Sequence, residues 1–307
     1  MAAKRPLKIG LYIPNGDGIM GGGNRRWRDV LAIAQRAEEI GFDSIWVADH
    51  LLFRFDDGEP TAGRWECWSL LAALAAATSR VELGPLVSCM SFRNPALLAK
   101  IAATTDEISG GRLILGAGAG WHEPEYHAYG FPFDHRVSRF AEGIEIVAGL
   151  LRAGCVDVRG QYERASNCEL RPRGPRPVGI PLMIGGKGER MLQLAARYAD
   201  LWNTTWVSDP ADFLPLNAAV DRACEAVGRD PSTLARSACV LIDHSDHIGR
   251  WTWEKPIPPP PREPAAIAEV LHGFAGVGVT QVMLWPDPST LSGVEALAPV
   301  LELLDRG

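Results

Sequence analysis

The chain has 307 residues, of which 47% are hydrophobic and 22% are charged, and this is the composition of an ordinary globular protein. Its 31 basic and 37 acidic residues give a formal net charge of −6, which argues against a dominant nucleic-acid surface. The N-terminal residues lead into a strand without a hydrophobic signal region, and no apolar run approaches the ~18 residues that a membrane span needs. We therefore expect a cytoplasmic protein that binds neither nucleic acid nor a membrane.

The cysteine and histidine spacings favour neither a disulfide framework nor a metal site. The six cysteines include no Cys-x-x-Cys pair, and several lie inside apolar runs. The run from Asp243 to His247 contains two aspartates and two histidines, but no predicted helix aligns these side chains on one ion. We interpret this run as a polar loop and predict no bound metal.

Strand and helix patterns alternate along the whole chain. Short, nearly continuous apolar runs predict strands at 8–13, 44–48, 81–88, 113–115, 181–184, 201–207, 237–242 and 281–285. Apolar residues with a 3.6-residue period predict helices at about 30–40, 67–78, 95–108, 137–151, 189–198, 210–227 and 264–274, with a last one that ends near 304. Gly41 is a stop signal for the first helix, and Asn94 followed by Pro95 is a start signal for the third.

Eight strand–helix units of this kind predict an α/β fold with a parallel sheet covered by helices, and their number favours a closed (β/α)8 TIM barrel. A polar, turn-rich segment at about 152–181, between the fourth and fifth strands, is too long for a plain loop, so we predict an inserted hairpin there. No linker-like stretch divides the chain. We therefore expect one domain over residues 1–307.

The end of the fourth strand is the most informative part of the chain. An apolar strand at 113–115 meets three alternating glycines, Gly116, Gly118 and Gly120, and aromatic, imidazole and carboxylate groups follow from Trp121 to Tyr126. Glycines at the end of a buried strand let a flat ligand approach the backbone. Polar groups beyond a strand's C-terminal end lie where α/β barrels carry their chemistry. A tight turn with a solvated rim would also explain the glycines, so both interpretations stay open.

Two further strand ends carry candidate functional residues. Asp49 and His50 close the second strand, where a carboxylate can fix the tautomer of a histidine that gains or loses a proton near neutral pH. A capping aspartate beside a packed histidine is the alternative. Gly185-Gly186-Lys187-Gly188 lies between the fifth strand and a helix, whose unpaired N–H groups can bind a phosphate with help from the lysine. A simple glycine turn is the alternative here.

Taken together, these motifs resemble the luciferase-like monooxygenase superfamily, in particular its coenzyme F420-dependent oxidoreductases. The resemblance covers nearly the whole chain. Its most specific stretches are 37–50, 93–100, 108–121, and 184–188 with 199–202.

The resemblance implies a barrel that binds a reduced flavin or deazaflavin at the C-terminal ends of its strands. It implies that Asp49 and His50 face the ring system, with His50 as a candidate proton donor or acceptor. It also implies a non-prolyl cis peptide at the end of the third strand, which counting back from Asn94 places at Leu86–Val87. The predicted cofactor-binding residues are Leu86, Val87, Ser88, Gly118, Gly120, Gly185, Gly186, Lys187 and Gly188.

Two positions depart from the patterns of the family. Flavin-using luciferases carry a phosphate-binding arginine at the end of the fourth strand, where this chain has Ala119. The glucose-6-phosphate dehydrogenases of the deazaflavin branch carry a glutamate acid just after that strand, where this chain has Trp121. We therefore expect F420 rather than FMN, a substrate other than a sugar phosphate, and a different catalytic acid, with Glu123 or His122 as candidates.

The leading prediction is an oxidoreductase that uses reduced F420 for hydride transfer to or from a small organic substrate, while the protein supplies a proton. One alternative is a luciferase-like, reduced-FMN-dependent monooxygenase supplied by a separate reductase. A catalytically inert flavin-binding protein on the same scaffold is a second alternative, since fold alone does not establish chemistry. A homodimer is expected. The substrate depends on the barrel-top loops and is not predicted.

Overall fold

A computed structural model of the chain describes residues 5–17, 25–54, 60–176, 178–243 and 262–306. The strands found in these ranges are β1 (Lys8–Ile13), β2 (Ser44–Val47), β3 (Leu52–Phe53), β4 (Ala62–Gly63), β5 (Glu82–Pro85), β6 (Ser88–Cys89), β7 (Leu115–Gly118), β8 (Cys155–Arg159), β9 (Arg164–Glu169), β10 (Leu182–Gly185), β11 (Leu201–Thr204), β12 (Ala235–Asp243) and β13 (Gln281–Asp287). The helices are α1 (Trp27–Ile40), α2 (Cys67–Ala77), α3 (Pro95–Ser109), α4 (Glu123–Tyr129), α5 (Arg136–Ala153), α6 (Glu189–Tyr198), α7 (Pro210–Ala226), α8 (Pro264–Gly276), α9 (Leu291–Glu295) and α10 (Ala298–Arg306).

The parallel strands form a closed (β/α)8 barrel, as predicted. Their order around the barrel is β5-β2-β1-β13-β12-β11-β10-β7-β6, and a parallel bridge between Leu83 and Leu113 closes the ring. The barrel has nine strand segments rather than eight because β5 and β6 are two halves of the third strand. They are separated by a cis peptide bond between Leu86 and Val87, and this confirms the predicted position of the cis bond.

Local signals place the helix ends where the sequence indicated. The Asn94 side chain accepts hydrogen bonds from the backbone N–H groups of Ala96 and Leu97, and α3 begins at Pro95. Gly41 follows α1 with a φ of 101°, a left-handed conformation that favours glycine. The expected single C-terminal helix is instead divided into α9 and α10. Pro299 lies in the first turn of α10, where its missing N–H is tolerated, but it could not continue a helix from α9.

Two further elements differ from, or add to, the predicted strands. The fourth strand was predicted to end at 115, but β7 continues to Gly118, since Ala117 pairs with Ile184 of β10 and Gly118 pairs with Cys89 of β6. A short antiparallel pair, β3–β4, follows β2 and was not predicted. The inserted segment forms an antiparallel hairpin, β8–β9, as predicted.

A buried tryptophan closes the lower part of the barrel interior. Trp46 of β2 is fully buried, and its indole N–H donates to the Ser44 hydroxyl over 2.8 Å. A Cβ atom at Gly10 of β1 would lie 2.6 Å from the Trp46 Nε1 atom, and one at Gly84 of β5 would lie 2.7 Å from its ring. The two glycines therefore make room for the indole.

No helix in the described ranges is long and apolar enough to cross a membrane. In the same ranges, no group of three or more His, Cys, Asp or Glu side chains is placed to hold a metal ion. Residues 244–247 of the predicted polar loop lie outside the described residues.

Candidate active site

A cavity of about 680 Å³ lies at the C-terminal ends of the barrel strands. This is the end of a TIM barrel where active sites are found, and the volume is in the range of small-molecule and cofactor sites. Its walls come from the ends of β1, β2, β7, β10, β11 and β13, from the cis segment between β5 and β6, and from the first residues of α4 and α5.

A histidine–carboxylate pair lies in one wall of the cavity. His50, just after β2, places its Nδ1 atom 2.7 Å from the Glu125 Oε1 atom, and the second oxygen of Glu125 accepts the Leu51 backbone N–H over 2.9 Å. Glu125 is only 1% exposed. An ionised carboxylate only accepts hydrogen bonds, so Nδ1 carries the hydrogen when Glu125 is charged. The His50 Nε2 atom makes no hydrogen bond within the described residues and is available to a ligand.

Asp49 does not orient His50, contrary to the suggestion from their adjacency. Its buried carboxylate accepts hydrogen bonds from the Arg93 guanidinium (3.0 Å), the Ser88 hydroxyl (3.0 Å) and the Cys89 backbone N–H (2.9 Å). Burial alone would lower the pKa of Arg93, but the charge and the hydrogen bond of Asp49, together with the charges of Cys67 and Glu66, outweigh it and the pKa is raised. Asp49 therefore ties the segment after the cis bond to the end of β2.

Ser88 and Glu123 do not line the cavity, although both were predicted site residues. The Ser88 hydroxyl is buried and already bonded to Asp49 and Trp68. The Glu123 side chain is 54% exposed and pairs with His127 at 3.2 Å, one turn further along α4. Glu125 instead lies at the cavity. The other candidate acid, His122, is buried outside the cavity lining, and its Nε2 atom accepts the Arg54 backbone N–H over 3.2 Å.

The glycines at the ends of β7 and β10 make room for protein side chains. A Cβ atom at Gly118 would lie 2.6 Å from a Val87 methyl group, and one at Gly185 would lie 3.3 Å from the same side chain. A Cβ atom at Gly120 would lie 1.7 Å from the Tyr126 hydroxyl oxygen. All three glycines and Val87 line the cavity, so backbone and the Val87 side chain together form this wall.

Two cations line the cavity, Lys187 just before α6 and Arg136 at the start of α5. Lys187 has no hydrogen bond or ion pair with any described residue. Although the Lys187 side chain as a whole is exposed, desolvation of its ammonium group lowers its pKa. The Arg136 guanidinium lies 3.8 Å from the centre of the Phe133 ring. Together with the unpaired N–H groups of α6, these cations can bind an anion such as a phosphate.

Gly186 and Gly188, on either side of Lys187, differ in backbone conformation and in surroundings. Gly186 has a φ of +146°, and a Cβ atom there would lie 3.1 Å from the Met191 side chain. Gly188 is the N-cap of α6 with a φ of −70°, and a Cβ atom there would have no atom of the described residues within 4 Å. Gly188 does not line the cavity, whereas Gly186 does.

An aromatic corner, formed by Tyr12, Trp206 and Trp285, makes up another part of the cavity wall. Tyr12 stacks on Trp285 with ring centres 3.6 Å apart and an interplanar angle of 7°. Trp206 meets Trp285 at 63° with ring centres 5.1 Å apart. These residues were not predicted to be part of the site. The sequence contains a signal that could have found them, because the first, sixth and eighth predicted strands each have an aromatic side chain near their end.

Comparisons with known proteins agree with this architecture. Residues 7–247 match the sequence model of the family described as luciferase-like monooxygenase. Pyrimidine monooxygenase RutA of Cronobacter sakazakii is 31% identical over 231 residues, which is 73% of this chain and 67% of the relative.

Solved structures share the fold at lower identity. An F420-dependent secondary alcohol dehydrogenase, solved with an F420–acetone adduct, has a TM-score of 0.79 and 21% identity over 97% of this chain and 99% of the other. The F420-dependent tetrahydromethanopterin reductase of Methanopyrus kandleri has a TM-score of 0.77 and 19% identity over the same shares, 97% and 99%.

Proposed function

Since this chain belongs to the luciferase-like monooxygenase family, we propose that it is an oxidoreductase that binds reduced coenzyme F420 in the barrel cavity and acts on a small organic substrate. The observation that carries the proposal is the His50–Glu125 pair, which presents a ring nitrogen with no protein partner among the described residues to a cavity of about 680 Å³. Such a cavity is large enough for a tricyclic ring and a small second ligand.

The chain's own residues fit such a cofactor. Val87 offers an apolar surface against which a flat ring can pack, and Leu86 and Ala119 lie beside it in the cavity lining. The phosphate would be bound by Lys187, Arg136 and the N-terminal amides of α6. The fit rests on Lys187, an ammonium group at the cavity that has no anionic partner in the described ranges. When bound, the reduced cofactor supplies a hydride.

In this proposal His50 moves the proton that accompanies hydride transfer. Glu125 accepts the Nδ1 hydrogen bond and fixes the imidazole plane, so Nε2 can donate or accept a proton at the cavity. Asp49 has an indirect role in this proposal. Its hydrogen bonds to Arg93 and Cys89 hold the backbone next to Val87 in position.

F420 is proposed over FMN because Ala119 leaves no cation at the end of the fourth strand. The two available cations, Lys187 and Arg136, come from the fifth strand-end loop and from α5. A reduced-FMN-dependent monooxygenase with a separate reductase is the second candidate, and the identity of 31% to pyrimidine monooxygenase RutA favours it. In that case His50 and Glu125 would have the same role towards a flavin.

Anaerobic titration of the purified protein with reduced F420 and with reduced FMN tests the choice of cofactor. We expect F420 to bind at least tenfold more tightly, a difference of about 1.4 kcal/mol. Tighter binding of reduced FMN, with product formation that requires oxygen, would favour the monooxygenase. Cofactor binding without turnover of any ketone, enone or nitro compound would support the inert flavin-binding protein.

A further inference from the structure

The aromatic corner of Tyr12, Trp206 and Trp285 is a second binding surface within the cavity. Tyr12 and Trp285 come from β1 and β13, which are neighbours in the barrel, while Val87 lies in the third strand and packs on glycines of the fourth and fifth. If the cofactor ring lies against Val87, as in the proposed function, the corner is left for another ligand. Two indole rings that meet at 63° can contact a flat molecule on a face and on an edge.

The corner presents a hydroxyl group that has no partner among the described residues. Tyr12 is only 4% exposed, lines the cavity, and its hydroxyl makes no hydrogen bond in the part of the chain that the structure describes. Burial raises the pKa of Tyr12 to about 12, although the charge of Arg64 opposes this, so the hydroxyl keeps its proton at neutral pH. The hydroxyl of Thr205 also lacks a partner among the described residues. A buried hydroxyl without a protein partner, such as that of Tyr12, can form a hydrogen bond with a ligand in the cavity.

Among the described residues, the corner contains no charged group that could pair with an ionic substrate. Among the cavity residues, Asp49 and Glu125 are engaged by Arg93 and His50, and the proposed function assigns Lys187 and Arg136 to the cofactor phosphate. Arg64 interacts electrostatically with Tyr12. It does not line the cavity, and its guanidinium lies 5.0 Å from the centre of the Phe53 ring. An ionic group placed in the corner would lose water without gaining a partner.

We propose that the aromatic corner is the substrate subsite and that it takes a flat, uncharged ring with a conjugated carbonyl group, such as a lactam or a cyclic enone. The ring packs against Trp206 and Trp285, and its carbonyl oxygen accepts a hydrogen bond from the Tyr12 hydroxyl. This inference rests on the proposed function, because it assumes that the cofactor ring packs against Val87.

Calorimetry on the protein loaded with oxidised F420, which cannot turn over, tests the subsite. The probes are uracil, 2-pyridone and 2-cyclohexenone, each compared with its saturated counterpart, 5,6-dihydrouracil, 2-piperidone or cyclohexanone, and orotate is the anionic counterpart of uracil. We expect at least one planar ring to bind about tenfold more tightly than its saturated form, which is the scale of an aromatic stacking gain. Orotate should bind more weakly than uracil. No binding of any planar ring, or equal binding of saturated or anionic forms, would overturn the inference.

Three variants separate the subsite from the cofactor site. Tyr12→Phe keeps the stack on Trp285 but removes the hydroxyl, and it should weaken binding of the planar ring by roughly tenfold, the scale of one hydrogen bond. Trp206→Leu should weaken it by a similar factor. Tyr129→Phe, at a residue that is 52% exposed and outside the cavity lining, is the matched control and should bind as the wild type does.

Neither corner variant should change the F420 dissociation constant by more than about threefold, since the corner is not the proposed cofactor wall. Loss of F420 binding in Tyr12→Phe and Trp206→Leu would assign the corner to the cofactor and overturn the inference. Failure of wild-type protein to bind either F420 or FMN would overturn the proposed function itself. F420 binding without any planar-ring binding would overturn only this inference.

Discussion

His50 and Glu125 are 75 residues apart in the chain, yet the His50 Nδ1 atom lies 2.7 Å from the Glu125 Oε1 atom. Each residue follows the C-terminal end of a different barrel strand, His50 after β2 and Glu125 in the helix after β7. Because Glu125 is 1% exposed and also accepts the Leu51 N–H, its carboxylate is held in one position. The imidazole is therefore fixed in orientation and tautomer before any ligand arrives.

Glu125→Gln tests whether this pairing supports catalysis. The amide oxygen can still accept the Leu51 N–H, but the amide nitrogen then faces the His50 Nδ1 atom and cannot accept its hydrogen bond. We expect turnover to fall by about 10- to 100-fold, which is at or below the lower end of the range for a general acid or base itself, because Glu125 acts through His50. Glu123→Gln is the matched control, since Glu123 is exposed and outside the cavity, and it should retain wild-type rates. A larger loss in Glu123→Gln than in Glu125→Gln would restore the original assignment of the acid.

His50→Ala should lower turnover by about 10²-fold or more, because Nε2 is the proposed proton carrier. The double variant His50→Ala/Glu125→Gln should be no slower than His50→Ala alone, since Glu125 acts through the imidazole. Steady-state kinetics of the wild type, the two single variants and the double variant measures the loss of turnover in each, and F420 affinity is measured in parallel. Additive losses would mean that Glu125 contacts the substrate independently of His50.

The barrel could be predicted because its signals are local. Asn94 with Pro95 marks a helix start, Gly41 marks a helix end, and each apolar run forms a strand with neighbours of the same kind. The functional pairs could not be predicted in the same way. Asp49 and His50 are adjacent, but Asp49 binds Arg93, 44 residues away, while His50 binds Glu125, 75 residues away.

The choice between Glu123 and Glu125 could not be made from the sequence either. Glu123 and Glu125 have the same chemistry and are two residues apart, so composition and spacing do not separate them. Only the orientation of α4 does so: it exposes Glu123 beside His127 and buries Glu125 and Tyr126 against the barrel. The glycine motif had a comparable ambiguity, because the atom that needs the space at Gly118 is a Val87 methyl group from another strand.

Gly118→Ala should disturb the cofactor wall by pushing on Val87, since the added Cβ would lie 2.6 Å from its methyl group. We expect a stability loss of about 1–3 kcal/mol, the usual cost of overpacking, together with weaker F420 binding. The second change Val87→Ala should restore part of the stability, because it removes the clashing methyl group. Urea unfolding and fluorescence titration of the single and double variants measure both effects. Absence of rescue would show that Val87 is not what Gly118 accommodates.

Gly186 and Gly188 form a matched pair for separating backbone strain from ligand binding. Gly186→Ala should cost about 1–3 kcal/mol, because a φ of +146° is unfavourable for any other residue and the Cβ would press on Met191. Gly188→Ala should cost less than about 1 kcal/mol, since its φ of −70° is ordinary. Urea unfolding compares them. Equal losses of stability in the two variants would contradict the conformational difference between the two glycines. Because any side chain at Gly186 strains the backbone, a bulky residue there is a poor probe of phosphate binding.

Lys187 should make cofactor binding depend on pH in a direction set by its desolvation. Burial lowers the pKa of Lys187 from its usual 10.5, so the free protein loses this positive charge at a lower pH than an ordinary lysine would. A bound phosphate favours the charged ammonium and raises the pKa in the complex. Binding above the free pKa must therefore take up a proton, and F420 affinity should fall as pH rises through that pKa, by up to about tenfold per pH unit.

Fluorescence titration of wild type, Lys187→Met and Lys187→Arg between about pH 6 and pH 10 checks this dependence. Lys187→Met should bind F420 roughly tenfold more weakly at neutral pH, the scale of a charge-assisted hydrogen bond, and should lose the alkaline decline. Lys187→Arg keeps its charge throughout this range, so its affinity should stay level where that of the wild type falls. An alkaline decline of the same size in Lys187→Met would assign the titration to another group and remove Lys187 from the phosphate site.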